Sequence, residues 1–470
     1  MKKQQSISLS VNIFIVLLCI FVLSSMFLFR PFDGVFPDTE SYLNLRVADD
    51  FNFYDGLSYG GRIAAYSLGL PFILQLVPWF DFLLPLLCGL LVLFLFWKIL
   101  LKFNFVTQLS KVAVVVLLLS PPFIYLFTTL NQYFFPLFLS FLAFYLLLLD
   151  KKWTKYCSVV LTVILPLFSL VIAISYLTLL VLYVLYKDKE KRQLFLWILG
   201  LSFFITLLHF ILLMIFTGLP ERFLFSLNIF GVTSKLLISE FGTHYGLSLF
   251  GLIAAIAGIV SVWKSKYDNL FYFFLILALV VLTLLRIEFI YVLNIFICIF
   301  VAKGILYFWY KPWAAKTLQH FVILILFCGL LFSCVAQIDK LVETTPNSEI
   351  IEGLNYLETL DEGVVFSHYS RGNWITYAGH ANVMDENFLF APNVNDRWVD
   401  SNAMFGYRDK ASVMNIIDKY EIKYIWIDNE MKDMLWASDE EGLLFVLKYD
   451  LTTFNKVFEN DYVQIWMVEN

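Results

Sequence analysis

Long apolar runs are the feature that most constrains this chain of 470 residues. Runs of about 18 or more apolar residues, the length that an α-helix needs to cross a bilayer, recur through roughly the first seventy per cent of the sequence. Hydrophobic residues make up 60% of the chain and charged residues only 15%, and no soluble domain of this size has such a composition. The sequence therefore predicts a polytopic α-helical membrane protein.

About eleven transmembrane helices follow from these runs. We place them at residues 7–29, 82–101, 112–130, 134–149, 156–170, 172–186, 193–216, 246–263, 269–285, 289–309 and 320–337. The first run ends in no small-residue cleavage site, so we expect a retained helix rather than a removed signal peptide. The segment 62–80 is apolar but is interrupted by Gly69, Pro71 and Pro78, and an interfacial or re-entrant path for it would change the count by one or two.

Lysine and arginine residues indicate the orientation of these helices, because cytoplasmic loops are enriched in both. Basic residues concentrate on alternate loops, at positions 2–3, 98–111, 151–155, 187–192, 264–266 and 311–316. We therefore expect a multi-pass protein of the plasma membrane with a cytoplasmic N-terminus. An odd number of spans places the C-terminus outside the cytoplasm.

Charge divides the chain into two expected domains. Residues 338–470 carry 24 of the 38 acidic residues but only 10 of the 33 basic ones, a net charge of −14 against +9 for the remainder. We interpret 1–337 as a transmembrane catalytic domain with long outer loops at 30–81 and 217–245, and 338–470 as a soluble extracytoplasmic α/β domain. In the latter, the pattern predicts strands at 363–366 and 422–427, a helix at 411–420 and a final hairpin of 454–458 with 462–468. So acidic a domain argues against nucleic acid as a partner.

The first outer loop is rich in carboxylates. Asp38 and Glu40 precede a short helical pattern at 41–47, where an acidic first turn serves equally as a helix cap or as part of a catalytic site. Asp49, Asp50 and Asp55 follow, and we interpret them as a solvated acidic surface.

Two arginines accompany these carboxylates. Arg46 lies in the same loop, and Arg286 precedes a span at the expected outer edge of the membrane. Guanidinium groups bind phosphate with two parallel hydrogen bonds, so a site that handles a lipid-phosphate-linked substrate is expected at this face. Pairing of Arg286 with Glu288, and of Arg46 with Asp38 or Glu40, stays open.

A resemblance to a known family adds to this interpretation. The first-loop sequence resembles the Asp-Pro-Tyr-Phe-Asn-Tyr-Arg-Val motif of oligosaccharyltransferase catalytic subunits, which belong to the GT-C class of polyprenyl-phosphate-dependent glycosyltransferases; the matching residues are Glu40-Ser41-Tyr42-Leu43-Asn44-Leu45-Arg46-Val47. The resemblance implies that Glu40, or Asp38 two residues earlier, is catalytic and binds acceptor and metal. It also implies that Tyr42 and Arg46 contact substrate.

Two further segments are similar to motifs of the same family. Residues 237–240 are similar to its Thr-Ile-x-Glu or Ser-Val-x-Glu motif, which implies that Glu240 helps to hold the acceptor and a metal. An ordinary amphipathic loop helix over 232–241 is the alternative. Residues 286–291 are similar to its Arg-Phe-x-x-Tyr segment, which implies that Arg286 contacts the phosphate of the lipid carrier.

A fourth match lies in the acidic domain. Residues 366–377 are similar to the Trp-Trp-Asp-Tyr-Gly-Tyr-Trp-Ile-Thr stretch of the family, which implies substrate-binding roles for His368 and Arg371. The match departs from the family where His368-Tyr369-Ser370 replaces Trp-Trp-Asp, so recognition of an Asn-x-Ser/Thr sequon is not implied. The loop 130–133 also lacks the acidic residues that complete the metal site in the family.

The expected metal site therefore has few candidate ligands. Glu40, Asp38 and Glu240 are its only candidate ligands, and carboxylate oxygens of this kind would suit Mg²⁺ or Mn²⁺. A site with a metal and a site without one both stay open.

Together these features predict a membrane glycosyltransferase of the GT-C class. It would take a sugar or glycan from a polyprenyl-phosphate or pyrophosphate carrier and transfer it to a glycan, lipid or protein acceptor at the outer face of the bilayer. Two alternatives are a catalytically inactive scaffold related to oligosaccharyltransferase and a glycolipid transport or flipping protein. Transport is disfavoured because His209 and Asn294 are the main polar residues inside the spans, where transporters carry ionisable groups.

Overall fold

The computed structural model describes residues 35–64, 67–149, 151–186, 192–217, 237–239, 246–388 and 391–469. The expected first span, 7–29, lies outside these residues. In the described part the α-helices are, in chain order, α1 (Thr39–Asp49), α2 (Gly69–Leu76), α3 (Leu83–Lys102), α4 (Thr107–Leu118), α5 (Pro121–Thr128), α6 (Phe134–Leu147), α7 (Lys152–Phe168), α8 (Leu170–Tyr186), α9 (Arg192–Thr217), α10 (Leu249–Val262), α11 (Leu270–Leu285), α12 (Ile290–Tyr310), α13 (Lys316–Glu343), α14 (Ser348–Glu358), α15 (Gly372–Tyr377), α16 (Val394–Gly406), α17 (Lys410–Tyr420), α18 (Asn429–Leu435) and α19 (Gly442–Tyr449).

The strands fall into two sheets. A two-residue hairpin pairs β1 (Tyr54–Asp55) with β2 (Arg62–Ile63). The larger sheet contains β3 (Val364–Phe366), β4 (Ala381–Asn382), β5 (Ile422–Asp428), β6 (Phe454–Glu459) and β7 (Val463–Val468), in the order β4-β3-β5-β7-β6. The strands β4, β3 and β5 are parallel, whereas β7 is antiparallel to both β5 and β6.

The chain divides into two compact units. The first contains α3–α8, most of α9, and α10–α13. The second combines Phe36–Pro78, which follows the expected first span, with the last residues of α9 and with residues 345–469. The first outer loop therefore clusters with the C-terminal residues.

Helices of the first unit follow the apolar runs. Each inferred span inside the described residues falls on one helix or, for 112–130, on the pair α4 and α5, which is bent by 63°. Length and composition qualify three described stretches as membrane spans: Leu83–Lys102, Ile287–Tyr310 and Lys316–Glu358, which contains α13 and α14, with the bent pair as a fourth. The expected count of about eleven spans is thus not confirmed, because α6, α8, α10 and α11 are apolar but short.

The bend between α4 and α5 has a clear local cause. Ser120 precedes Pro121 and Pro122, and a proline ring disfavours helical geometry in the residue before it. Asn294, buried near the start of α12, donates to the Ser120 hydroxyl over 2.8 Å. This bond satisfies the polar amide, which would otherwise be unpaired among apolar helices.

The C-terminal residues confirm the predicted α/β pattern. The expected strands, the helix at 411–420 and the final hairpin all form within a residue or two of their predicted limits. The central strand β5 is buried along almost its whole length, as expected for a strand covered on both faces. Tyr356 of α14 stacks on Phe458 of β6, with ring centroids 4.8 Å apart.

Candidate active site

The two predicted catalytic carboxylates stand at the start of α1. Asp38 is the extended residue before the helix, and Glu40 lies in its first turn, where the positive end of the helix dipole stabilises negative charge. Both side chains are half-buried. The Asp38 carboxylate accepts a hydrogen bond from the Ser41 hydroxyl, so the predicted helix forms and the acids begin it.

Arg46 has a structural partner that the sequence analysis assigned differently. Its guanidinium donates two parallel hydrogen bonds to Asp55, over 2.7 and 2.6 Å. Asp55 is buried and also accepts from the backbone N–H groups of Leu57 and Ser58. The expectation that Asp55 is solvated is therefore wrong, whereas Asp49 and Asp50 are exposed as expected.

Tyr42 anchors α1 to α15. Its ring meets Trp374 and Tyr377 edge-on, with centroids 6.4 and 5.1 Å apart. The side chain is buried, and its hydroxyl accepts from the Phe36 N–H over 3.3 Å. This geometry favours packing over the predicted contact of Tyr42 with substrate.

A buried polar cluster around Asp385 fastens the first loop to the C-terminal residues. The Asp385 carboxylate accepts from the Ser58 hydroxyl over 2.5 Å and lies 3.7 Å from the buried guanidinium of Arg62. Tyr59 donates its N–H to Asn382 over 2.8 Å and its hydroxyl to the Asp385 carbonyl over 2.9 Å. No local sequence pattern indicates this cluster, because its partners are more than three hundred residues apart.

Glu386 is a further carboxyl that sequence reasoning missed. It accepts a hydrogen bond from the hydroxyl of Thr39, the residue between Asp38 and Glu40. Part of the Glu386 side chain is exposed to solvent, but many protein atoms surround its carboxyl group. This loss of solvation, together with the charges of Asp385 and Asp38, raises the pKa of Glu386 to about 7. Its position in the 382–387 turn after the matched stretch was the one available signal.

His368 is held neutral beside this region. Loss of solvation, followed by the charge of Arg371, lowers its pKa to about 4, against an opposing effect of Asp428. Its Nδ1 lies 2.7 Å from the Ser370 hydroxyl and accepts from the Ser370 N–H over 3.4 Å. The proton of the neutral ring is therefore assigned to Nε2.

Arg371 is bound by carboxylates rather than open to a ligand. Its Nε donates to the fully buried Asp428 over 2.7 Å, and one terminal nitrogen contacts Glu430. Its guanidinium also lies over the Trp374 ring, 4.9 Å from the centroid. This geometry favours a structural role over the predicted contact of Arg371 with substrate.

Arg286 lies in the first unit, in the turn between α11 and α12. Its Nε is 3.0 Å from Glu288, so the pairing that the sequence left open is present. Half of the Arg286 side chain is nevertheless exposed (50%), and the guanidinium also interacts with Tyr133. An exposed guanidinium held on one side can still bind an anion on the other.

Two other segments, around Glu240 and at 130–133, concern the expected metal site. Glu240 lies outside the described residues, and the neighbouring Ser239 is buried and pairs through its backbone with Leu247. In the acid-free loop 130–133, the fully buried Asn131 accepts from the N–H groups of Tyr133 and Phe134 and so caps the start of α6.

The described residues, which do not include Glu240, contain no group of side chains that could hold a metal. Nowhere in the described ranges do three His, Cys, Asp or Glu side chains lie close enough together to hold a metal. Asp385, the neighbour of Glu386 in sequence, already accepts from the Ser58 hydroxyl and from the Asn387 N–H. We therefore derive no step through a metal.

An apolar cavity lies in the first unit, between its helices. It is lined mainly by aromatic and aliphatic side chains. The hydroxyls of Ser140 and Ser175 in its wall donate to carbonyls of their own helices. The lining also includes Tyr176 and Tyr272, and the cavity is mainly apolar.

Comparison with solved structures identifies the fold. The chain superposes on the oligosaccharyltransferase of Archaeoglobus fulgidus tethered to an acceptor peptide, with a TM-score of 0.60 and 10% identity over 89% of this chain and 69% of that one. It superposes on ArnT from Cupriavidus metallidurans bound to undecaprenyl phosphate with a TM-score of 0.52 and 12% identity, over 97% of both chains. The chain has the GT-C fold.

A second structure of the archaeal enzyme agrees. AglB from Archaeoglobus fulgidus, in complex with an inhibitory peptide and a dolichol-phosphate, matches with a TM-score of 0.59 and 12% identity, over 93% of this chain and 72% of that one. No protein-family model and no curated protein matches the sequence. At such low identity the GT-C fold is shared, and the catalytic activity is a separate question.

Proposed function

We propose that this GT-C protein is a glycosyltransferase that moves a sugar or glycan from a polyprenyl-phosphate or pyrophosphate carrier to an acceptor at the outer face of the membrane. Two structures that share its fold hold dolichol-phosphate or undecaprenyl phosphate, and one is tethered to an acceptor peptide. These similarities support the proposal through the fold alone.

The observation that carries the proposal is the arrangement at the start of α1. Asp38 and Glu40 are half-buried, the intervening Thr39 is bonded to Glu386, and α1 is packed on α15 through Tyr42. A general base needs a carboxylate held in place by its surroundings, and these contacts supply that support.

The reaction would be a direct displacement at the anomeric carbon. Asp38 or Glu40 takes the proton from the acceptor hydroxyl or amide while the acceptor atom bonds to the anomeric carbon. The bond from that carbon to the phosphate oxygen breaks, and its electron pair leaves with the phosphate. Arg286 would stabilise the negative charge that grows on the departing group.

The test uses purified protein and a panel of polyprenyl-linked sugars. With a substrate that is turned over, Asp38→Asn or Glu40→Gln should lower the transfer rate by about 10²–10⁴, the usual contribution of a general base. Asp49→Asn is the control, because Asp49 ends the same helix and is exposed. Near-normal transfer in both acid variants would exclude both as the base, and no turnover of any donor would remove the proposal.

One observation favours an inactive scaffold as the second candidate. Asn131 lies in the loop that carries acidic residues in the family, and its side-chain oxygen caps the start of α6. A scaffold predicts that carrier lipid binds to the protein without transfer for every donor in the panel. Retained binding with measurable transfer would exclude it.

We also propose that the protein spans the plasma membrane with its N-terminus in the cytoplasm and with residues 338–470 as an extracytoplasmic domain. The alternation of basic loops supports this orientation. A reporter that works only in the cytoplasm, fused after Asn470, should be silent, and a strong signal would reverse the orientation.

A further inference from the structure

Three aromatic side chains of the second unit form a cluster beside Glu386. Tyr369 lies in a short 3₁₀ turn, Phe388 in the following loop and Trp398 on α16. The ring centroids are 5.5 Å apart for Tyr369 and Phe388, 5.3 Å for Tyr369 and Trp398, and 5.9 Å for Phe388 and Trp398. All three side chains are half-buried, so part of each remains open to solvent. We call these three residues the aromatic cluster.

Polar groups border the aromatic cluster on one side. Glu386 precedes Phe388 by two residues. The pKa of the Tyr369 hydroxyl is raised, first by the burial of Tyr369 itself and then by the negative charge of Glu386. Glu386 is in turn bonded to Thr39, next to Asp38. The cluster therefore adjoins the carboxylates that the proposed function assigns to catalysis.

The groups around the aromatic cluster discriminate between ligand classes. His368, whose ring centroid is 4.2 Å from that of Tyr369, is neutral above about pH 4, and Arg371 is neutralised by Asp428 and Glu430. An anionic ligand thus gains little here. Aromatic faces with a carboxyl at their edge suit a ligand that has an apolar face and hydroxyl groups around its rim, because rings supply apolar contact and the carboxyl accepts hydrogen bonds.

A peptide strand is less well served. The edge strand nearest in sequence is β4, between Tyr369 and Phe388, and its Asn382 N–H already donates to the Leu57 carbonyl over 2.9 Å. Extended peptides usually bind by pairing with such an edge. Here the first loop occupies that position.

We propose that the aromatic cluster is the acceptor subsite and that the acceptor is a glycan. A sugar ring stacks on Tyr369, Phe388 or Trp398 through its C–H face, and Glu386 accepts hydrogen bonds from its hydroxyls. This inference rests on the proposed function, because it names the acceptor class of that reaction.

The test is binding without a donor, so that it does not depend on transfer. The full-length protein in lipid nanodiscs is titrated with cellobiose, lactose, chitobiose and mannobiose, and with the capped peptide Asn-Val-Thr, by saturation-transfer NMR. At least one disaccharide should bind, and Trp398→Ala should weaken its binding by about tenfold or more, since a stacked ring contributes on that scale. Val399→Ala is the control, because Val399 is the next residue on α16 and is 63% exposed.

Two further variants keep the test decisive if Trp398→Ala does not fold. Should Trp398→Ala not fold, Trp398→Phe should keep stacking and bind, whereas Glu386→Gln should bind more weakly with an unchanged contact surface. Binding of no disaccharide, binding indifferent to both Trp398→Ala and Glu386→Gln, or cluster-dependent binding of the peptide in place of sugars would each overturn the inference. Glycan binding in a protein that turns over no donor would support the glycan subsite but contradict the proposed function. Transfer to an acceptor other than a glycan would support the proposed function but overturn the glycan subsite.

Discussion

At the scale of single residues, solvent exposure distinguishes three arginines for which the sequence analysis predicts contact with substrate. Arg46, Arg286 and Arg371 each pair with a carboxylate. The side chains of Arg46 and Arg371 are only 13% and 11% exposed, and breaking such buried pairs leaves an uncompensated charge. Arg286 is half exposed, and its pair is worth little to stability. Arg286 is therefore the one of the three suited to bind a phosphate.

Replacement of Arg286 by lysine tests this role. Lysine keeps the charge but cannot make two parallel hydrogen bonds, and charge-assisted bonds of this kind contribute about 1.5–3 kcal/mol. Arg286→Lys should therefore raise the donor KM by roughly ten- to a hundredfold and leave acceptor binding unchanged. Donor titrations with Glu288→Gln alongside provide the comparison. Equal losses of Tm in both variants, with an unchanged donor KM, would instead make the pair structural.

Glu386 should make stability depend on pH. Its pKa in the folded protein, about 7, lies above the ordinary carboxyl value of 4.5. The folded state therefore holds a proton that the unfolded state has released, and stability falls as pH rises between about 4.5 and 7. Glu386→Gln should remove this contribution, so the Tm of the variant relative to wild type should increase across that window. A constant difference in Tm from pH 4.5 to 7.5 would contradict the shifted pKa.

The low pKa of His368 acts in the opposite direction. Because its folded value of about 4 lies below the ordinary 6.5, the unfolded state binds the proton first as pH falls, and stability is lost below about pH 6.5. Subtracting the wild-type profile from that of Glu386→Gln cancels this effect, since both proteins keep His368.

At the scale of elements, two glycines allow α10 and α12 to approach closely. A Cβ added at Gly258 would collide with the Phe300 carbonyl, and one at Gly304 would collide with the Ala254 carbonyl. Both obstacles are backbone atoms, which cannot move aside as the end of a side chain can. Close approach through small residues is a common way for membrane helices to associate.

Gly304→Ala should therefore destabilise the helix pair. Overpacking of this kind costs about 1–3 kcal/mol, which a lower Tm in detergent would report. Gly200→Ala is the matched control, because Gly200 lies within α9 and a Cβ there meets no atom within 4 Å. That control should be neutral or stabilising by up to about 1 kcal/mol, the helix-propensity difference. Equal Tm values for the two variants would refute the close packing.

At the scale of the whole molecule, two distant parts of the chain build one unit. The segment Phe36–Pro78 and residues 345–469 share the Asp385 cluster, the packing of Tyr42 and the bond from Thr39 to Glu386. The candidate catalytic acids are therefore positioned by contacts with residues near the other end of the chain.

Removal of Asp385 should loosen this unit. Asp385→Ala removes the carboxylate that lies 3.7 Å from the buried Arg62 guanidinium, and removal of one member of a buried ion pair typically costs about 3–5 kcal/mol. Trypsin should then cut faster after Arg62, which is buried in the intact protein. Asp361→Ala is the control, because Asp361 is 96% exposed and its removal should change stability by less than about 0.5 kcal/mol. Similar cleavage rates for the two variants would mean that Asp385 does not hold the loop.

The sequence by itself determined what depends on neighbours along the chain. Helix positions in the first unit follow from apolar runs. The strands, the helix at 411–420 and the last hairpin follow from local periodicity, and these form within a residue or two of their predicted limits. The acidic first turn of α1 was equally visible, because a dipole favours charge within a single turn.

Only the tertiary structure decided how these elements serve a site. The pairing of Arg46 with Asp55, the burial of Arg371 against Asp428 and the order of the five strands all require contacts that no local pattern encodes. Thr39 and Glu386 are 347 residues apart in sequence, yet their bond holds the residue between the two candidate bases to Glu386, which lies beside the aromatic cluster. The physical reason is that burial and neighbouring charge set the chemistry of a carboxyl or guanidinium, and both are properties of the folded chain.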